Sequence, residues 1–140
     1  MSIEENKALI RRFFEECWNR KNLEIADDLF AADHVFHGTE GEVPDAGPER
    51  VKQMIAELIA AFSDLRFDAE EPMIAEGDMI AYRWAITGTH NGWFSGIAPT
   101  NKEIKMTGIS IERIMDGKIQ ETWDSTDRLG LLQQLGVIPK

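Results

Sequence analysis

The hydrophobic pattern of this chain changes its period near Arg66, and that change limits the folds the chain can adopt. Before this point, apolar residues recur every three or four positions, which is the spacing of an amphipathic α-helix. After it, apolar and polar residues alternate, as they do in strands with one buried face. Helices followed by a run of antiparallel strands predict an α+β fold, with the helices gathered on one face of the sheet.

Two helices are predicted at the start of the chain. Ser2 and Glu5 form an S-x-x-E capping box, and the apolar stripe that follows predicts a helix to about Arg20. A second, shorter helix capped by Asn22 is predicted to run through Phe30. Both helices have one apolar face, so we expect them to pack against the sheet.

A short strand and the most regular helix of the sequence are predicted next. The strand covers residues 35–38, and a loop containing Gly and Pro is predicted from there through Gly47. Pro48 stands where prolines occur in the first turn of a helix. Apolar residues at helical spacing then continue to Phe62, which predicts a long helix that covers the sheet.

Turn signals divide the remainder of the chain into strands. Gly77 lies in one turn, and Asp116-Gly117 is a two-residue sequence typical of tight β-hairpins. Leucines at helical spacing before Gly136 predict a final helix that ends there. The four predicted strands are 67–75, 79–89, 104–115 and 118–126. A curved antiparallel sheet closed by the helices would form a cone with a pocket inside.

The Asp116-Gly117 hairpin predicts which side chains share a face of the sheet. If these two residues form the loop, Ser110 lies opposite Trp123, and Trp123, Ser125 and Asp127 face the interior. On the same pairing, Glu112 lies opposite Glu121, and Asp124 points away from Trp123. The opposite face carries the apolar residues Ile109, Ile111 and Met115, which favours a second subunit and a homodimer.

Two carboxyl sites are candidates for acid/base chemistry. Asp127 beside an aromatic wall would have its pKa raised by desolvation, but Asp127 also directly precedes the last helix and is a candidate N-cap. The Glu112–Glu121 pair is a second candidate, with a solvated sheet edge as its alternative. Spacing alone leaves both choices open.

The histidines and aromatic residues predict a pocket for a flat organic ligand. His90 continues the strand face of Tyr82 and Trp84, so it is a second candidate for catalysis, whereas His34 is expected at the surface. The three histidines do not form a ligand cluster, so we expect no metal and no cofactor. The candidate substrate-binding residues are Trp18, His37, Tyr82, Trp84, Phe94 and Trp123.

Charge and composition exclude several classes of partner. Fifteen basic and 25 acidic residues give a net charge of −10, which disfavours binding to nucleic acid or to an anionic membrane surface. No apolar run is long enough to span a membrane, and the first residues lack the pattern of a signal peptide. With one cysteine, no internal disulfide can form, so we expect a cytoplasmic protein.

Two long motifs resemble those of a known family. The sequence G-T-H-N-G-W-F-S-G-I-A-P-T-N-K at 88–102 resembles the G-T-H-x-G…G-I-x-P-T-x-K loop of the SnoaL-like polyketide cyclases, also called ester cyclases. The sequence D-G-K-I-Q-E-T-W at 116–123, with Asp127 and Q-L-G at 134–136, resembles the ending of that family. Trp18-Asn19 resembles the pair that closes the family's first helix, so the resemblance spans nearly the whole chain, and we expect residues 1–140 to form a single domain.

The resemblance implies both a fold and a chemistry. It implies the nuclear transport factor 2-like cone, which is shared with ketosteroid isomerases. It also implies an intramolecular aldol condensation without metal or organic cofactor, in which the acid/base aspartate corresponds to Asp127. The characterised cyclases place a histidine on the strand before the final hairpin, whereas this chain has Ser110, Ile111 and Glu112 there.

We therefore expect a cofactor-free enzyme that performs enolate chemistry on a small hydrophobic or aromatic carbonyl compound. Asp127 would be the base, and His90 or Tyr82 would donate to the developing oxyanion. An isomerase or hydratase with the same pocket is one alternative. A small-molecule-binding protein without turnover and a dimeric interaction module are the others.

Overall fold

The computed structural model describes residues 2–38, 41–43 and 47–140. The loop predicted through Gly47 lies partly outside these residues, and the described segment within it, 41–43, forms a short strand. The architecture is α+β, with a curved sheet packed by N-terminal helices, as the sequence predicts.

The first predicted helix is confirmed, but it changes its winding midway. Helix α1 (Ile3–Arg12) begins at the expected capping box, in which the Ser2 side chain accepts from the Glu5 backbone N–H. It continues as a π-helical segment, Phe13–Asn19, which turns several aromatic side chains and Cys17 into the core. The π-helical winding places consecutive bulky residues on the buried side, which makes this segment one wall of the interior.

The second predicted helix is shorter than expected. A 3₁₀ turn, Leu23–Ile25, leads into helix α2 (Ala26–Leu29), and strand β1 (Phe30–Gly38) starts directly afterwards. Phe30 is buried and pairs with Ile119, so sheet pairing overrides the helical spacing of the sequence here.

One mixed sheet forms the framework. Besides β1, its strands are β2 (Gly41–Val43), β3 (Arg66–Ala69), β4 (Ile74–Glu76), β5 (Met79–Thr89), β6 (Glu103–Met115) and β7 (Lys118–Thr126). They lie in the order β2-β1-β7-β6-β5-β3, and β4 also pairs with β5. Strand β1 is parallel to β7, and the other pairings are antiparallel.

Two further helices complete the fold. Helix α3 (Gly47–Ala61) packs on β1 and buries Val51 and Ile55. Helix α4 (Arg128–Leu135) ends at Gly136, whose φ of 82° is the left-handed conformation common after helix C-termini. None of the described helices has the length and apolar character needed to cross a membrane.

A β-bulge in the final hairpin contradicts the predicted pairing of β6 with β7. Met115 pairs with Lys118 as expected, but the register shifts between Arg113 and Ile114. Beyond this shift Ser110 lies opposite Asp124 and not opposite Trp123. One extra residue in β7 exchanges the two faces of the strand, because side chains alternate along it. The prediction that Trp123, Ser125 and Asp127 face the interior is therefore wrong, and Asp124 faces inward with Ser110.

Candidate active site

A cavity lies between the concave side of the sheet and the helices. It encloses about 580 Å³, including its open mouth. Helix α3 contributes aliphatic side chains, and the π-helical segment contributes aromatic ones. The lining residues are Phe13, Trp18, Phe30, His34, Phe36, Val51, Met54, Leu58, Phe67, Tyr82, Trp84, Ile86, Met106, Ser110, Glu112, Thr122, Asp124 and Thr126.

Asp124 and Ser110 form the first polar group in this cavity. They lie opposite each other on β7 and β6, and the Ser110 hydroxyl donates to Asp124 Oδ1. Trp84 Nε1–H donates to Ser110 Oγ over 2.9 Å, which fixes the hydroxyl so that its own hydrogen points to the carboxylate. Burial raises the pKa of Asp124 to about 6, and the hydrogen bond from Ser110 opposes part of that rise.

Gly108 permits the position of the Trp84 indole. The two residues lie opposite each other on β5 and β6, and a Cβ on Gly108 would overlap the indole ring. The glycine therefore lets the ring lie flat over the strand, with Nε1 directed at Ser110.

Glu112 forms the second polar group, and it is almost fully buried. The Tyr82 hydroxyl is 2.8 Å from Glu112 Oε1, and the Thr122 hydroxyl donates to Oε2. His34 Nε2 lies 2.8 Å from Thr122 Oγ1, which extends the network to strand β1. His34 is fully buried, so its predicted place at the surface is wrong: it belongs to a sheet strand and not to the end of a helix.

Burial shifts the pKa values of this second group strongly. Burial raises the pKa of Glu112 to about 8, and the charge of Asp124 adds to that rise, while the hydroxyls of Thr122 and Tyr82 oppose it. Burial also raises the pKa of Tyr82 well above its usual value and lowers that of His34 to about 4. At neutral pH the cavity therefore combines an ionised carboxylate at Asp124 with a carboxylic acid at Glu112, a division typical of acid/base sites.

Three of the predicted substrate-binding residues line the cavity. Trp18 and Phe67 stack with ring centroids 5.1 Å apart, and Phe67 stacks in turn on Trp84 at 5.6 Å. Tyr82 contacts Phe14 edge to face at 4.9 Å. These rings form an apolar wall that faces the carboxyl groups of the sheet.

Asp127 lies outside the cavity. Its side chain accepts the Gly130 backbone N–H over 2.9 Å as the N-cap of α4, and its own backbone N–H donates to Thr107. Of the two alternatives drawn from the sequence, the structure places Asp127 in the geometry of the cap.

His90 is also outside the cavity, buried beneath the loop that follows β5. Its Nδ1 accepts the backbone N–H of Thr100 over 3.2 Å, and its backbone bonds to Asn101 and Lys102. These bonds hold the two ends of the loop together. Phe94, at the tip of that loop, packs on Phe62 and does not line the cavity.

Trp123, His37 and Glu121 lie on the outer face of the sheet, as the bulge requires. The Trp123 ring stacks on His37 with centroids 5.1 Å apart and planes 7° from parallel. Glu121 Oε2 contacts His37 Nε2 at 2.6 Å, and its Oε1 lies 3.5 Å from Arg113 Nε. Glu121 therefore does not pair with Glu112, and the prediction that these two glutamates face each other is wrong.

Metal-binding geometry is missing from the part of the chain that the structure describes. In residues 2–38 and 47–140, no three His, Cys, Asp or Glu side chains come close enough together to hold an ion. The cavity carboxyls are instead bonded to hydroxyl groups.

Comparisons with known proteins agree with this fold. The sequence profile described as SnoaL-like polyketide cyclase matches residues 8–135. Nogalonic acid methyl ester cyclase from Streptomyces nogalater is 28% identical over 85% of this chain and 89% of its own. Aklanonic acid methyl ester cyclase DnrD from Streptomyces peucetius is 29% identical over 91% of this chain and 88% of its own length. The crystal structure of AclR, a proposed hydroxylase from Streptomyces galilaeus, superposes with a TM-score of 0.87 at 32% identity, covering 99% of this chain and 85% of that one.

Proposed function

Because the chain belongs to the SnoaL-like polyketide cyclase family, we propose that it closes a ring in a polyketide-derived carbonyl compound by cofactor-free acid/base chemistry. The observation that carries this proposal is the Asp124 carboxyl, set in an aromatic cavity with a raised pKa and a fixed hydrogen-bond partner. Asp124 replaces Asp127 as the base, since Asp127 caps a helix elsewhere.

The proposed reaction is an intramolecular aldol addition, which is the bond-forming step of an aldol condensation. Asp124 removes a proton from a carbon next to a carbonyl group, and the electron pair of that C–H bond forms an enolate. The enolate carbon attacks a second carbonyl of the same molecule, and the π electrons of that carbonyl move onto its oxygen. Tyr82, whose hydroxyl lies on the cavity wall, donates to the oxyanion.

The substrate class follows from the lining of the cavity. Aromatic and aliphatic side chains cover one side, and hydroxyl and carboxyl groups are confined to the sheet. This division suits a flat apolar carbonyl compound whose reacting carbons lie over β6 and β7. The two curated relatives are named for methyl esters of nogalonic and aklanonic acid, so compounds of that kind are the first candidates.

The test is incubation of the purified protein with these two methyl esters, followed by chromatography and mass spectrometry. Ring closure gives an isomer of the substrate with unchanged mass, and the Asp124→Asn variant should not form this product. A product one oxygen atom heavier would indicate hydroxylation and would contradict the proposal. Binding without any product would favour the alternative of a small-molecule-binding protein.

We also propose that the protein is a homodimer formed through the outer face of the sheet. Ile109 and Met115 expose 51% and 46% of their surface on this face, which also carries the Trp123–His37 stack. Ile109→Arg should shift the sedimentation coefficient from dimer to monomer, whereas Ile3→Arg, at an exposed isoleucine of helix α1 and not of the sheet, should leave it unchanged. A wild-type protein that sediments as a monomer would contradict this proposal.

A further inference from the structure

The two carboxyl groups of the cavity are connected by side chains that carry exchangeable protons. Ser110, which donates to Asp124, lies opposite Tyr82 on the neighbouring strand. Tyr82 contacts Glu112, and the chain continues through Thr122 to His34. The two carboxyl groups therefore belong to one row of polar side chains along the cavity wall.

Among the residues that the structure describes, no cationic side chain pairs with Glu112. It is 2% exposed, and its two oxygens contact hydroxyl groups. Among the described residues that line the cavity, the ionisable ones are His34, Tyr82, Glu112 and Asp124; the helices contribute apolar and aromatic side chains. A buried carboxyl without a counter-ion and beside another carboxylate favours its neutral form.

The environment of His34 orients the proton of Glu112. His34 Nδ1 is buried and has no hydrogen-bond partner among the described residues. A lone pair at that position is less costly than an unsatisfied N–H, so the ring hydrogen belongs on Nε2, where it is donated to Thr122. Thr122 then donates to Glu112 Oε2, which leaves Oε1 to carry the acid proton and to direct it at Tyr82.

We propose that Glu112 is a protonated acid in the resting enzyme and supplies, through the Tyr82 phenol, the proton that neutralises the product oxyanion. This inference rests on the proposed function and adds a second proton-carrying residue to it. With Oε1 protonated, the 2.8 Å contact runs from Glu112 to the Tyr82 oxygen, and the phenol hydrogen is free to bond to substrate. Glu112 acts through Tyr82 and is a positioning and proton-supplying residue.

The protons balance over one turnover. The carbon-bound proton of the substrate passes to Asp124, whose carboxylate becomes a carboxylic acid. The new alkoxide takes the Tyr82 proton while the phenol oxygen takes the proton of Glu112, so Glu112 is left ionised. Asp124 then gives up its proton and Glu112 takes one up, by way of the polar side chains of Ser110 and Tyr82 that lie opposite each other between them, so both carboxyls return to their resting states.

The first test needs no substrate: ¹³C NMR titration of side-chain carboxyls in the wild type, Glu112→Gln and Asp124→Asn. Glu112 should titrate near pH 8 and Asp124 near pH 6. Glu112→Gln should change the Asp124 midpoint little, because a neutral amide replaces a neutral acid. If Glu112 were ionised, its removal would lower that midpoint by about 1 unit or more, and the inference would fail. Glu103→Gln, at an exposed position of the same strand, is the matched control.

The second test is the pH dependence of kcat/KM for the ring closure. The wild type should give a bell with limbs near pH 6 and pH 8, and Glu112→Gln should lose the upper limb and retain the lower. If the Glu112→Gln enzyme is active and its pH profile keeps both limbs, the role of Glu112 is overturned, but the proposed function is not. Full activity of Asp124→Asn would instead overturn the proposed function.

Tyr82→Phe keeps the inference testable if Glu112→Gln does not fold. It leaves the carboxyl in place and removes its route to substrate, so Glu112 should still titrate at pH 8 or above while turnover falls. Turnover at the wild-type rate in Tyr82→Phe would contradict the relay.

Discussion

The Ser110 hydroxyl donates to Asp124 Oδ1 across β6 and β7, and Trp84 Nε1–H holds that hydroxyl from the other side. The contact exists because the hairpin contains a bulge, which turns Asp124 inward and Trp123 outward. One extra residue in β7 thus determines which carboxyl group of that strand faces the cavity.

Ser110→Ala should raise the pKa of Asp124 above its value of about 6. The Ser110 hydrogen bond stabilises the ionised carboxylate, so its loss leaves the desolvation by burial unopposed. A ¹³C NMR titration should show the Asp124 midpoint shifted upward, and the lower limb of the pH–rate profile should follow it. A midpoint that stays constant or falls would show that the hydroxyl does not stabilise the charge.

Stability should fall with rising pH in the range set by Glu112. Its pKa is about 8 in the folded protein and has an ordinary value of 4.5, so the folded state holds this proton more tightly. The resulting stabilisation is complete below about pH 4.5 and is lost as the pH rises through 8. Between pH 6.5 and 8 the wild type should lose about 1 to 2 kcal/mol relative to Glu112→Gln, measured by urea unfolding. Parallel curves for the two proteins would contradict a protonated Glu112.

Gly108→Ala should destabilise the fold and displace Trp84. The added methyl group overlaps the indole, and overpacking of a tight core costs about 1 to 3 kcal/mol. The double variant Gly108→Ala/Trp84→Phe should recover part of that loss, because the smaller ring leaves room for the methyl group. Thermal unfolding and tryptophan fluorescence measure the two effects, and purely additive losses would contradict the contact.

Asp127→Ala should cost about 1 kcal/mol of stability, the usual contribution of an N-cap. Asp127→Asn should cost less, because asparagine also caps helices well. Chemical unfolding of the two variants provides the comparison. Equal losses in both would show that the interaction at Gly130 does not depend on the capping oxygen.

The sequence predicts the elements of this fold better than it predicts the faces of its sheet. The capping box at Ser2, the hairpin at Asp116-Gly117 and the stop at Gly136 depend on local chemistry, and all three are confirmed. Cavity residues such as Trp84 and Tyr82 follow from the alternation along β5, which is regular.

The remaining site residues depend on pairings that local patterns do not contain. The bulge shifts the register of β7 by one residue after the hairpin, which exchanges the two faces of the strand. Side-chain alternation counted from the turn therefore assigns Asp124 and Trp123 to the wrong faces. His34 follows a helix-like sequence, but parallel pairing of β1 with β7 brings it beside Thr122. The resemblance does not supply the missing information, since its motif assigns the acid/base aspartate to Asp127 and leaves position 124 unspecified.

The measurement that tests the central claim most directly is the rate of ring closure in Asp124→Asn against Asp127→Asn, on the methyl ester that the wild type converts. Asp124→Asn preserves the shape of the side chain but removes the base, so kcat should fall by about 10² to 10⁴-fold. Asp127→Asn, which keeps the helix cap outside the cavity, should retain nearly the wild-type kcat. The reverse result, an active Asp124→Asn and an inactive Asp127→Asn, would contradict the account.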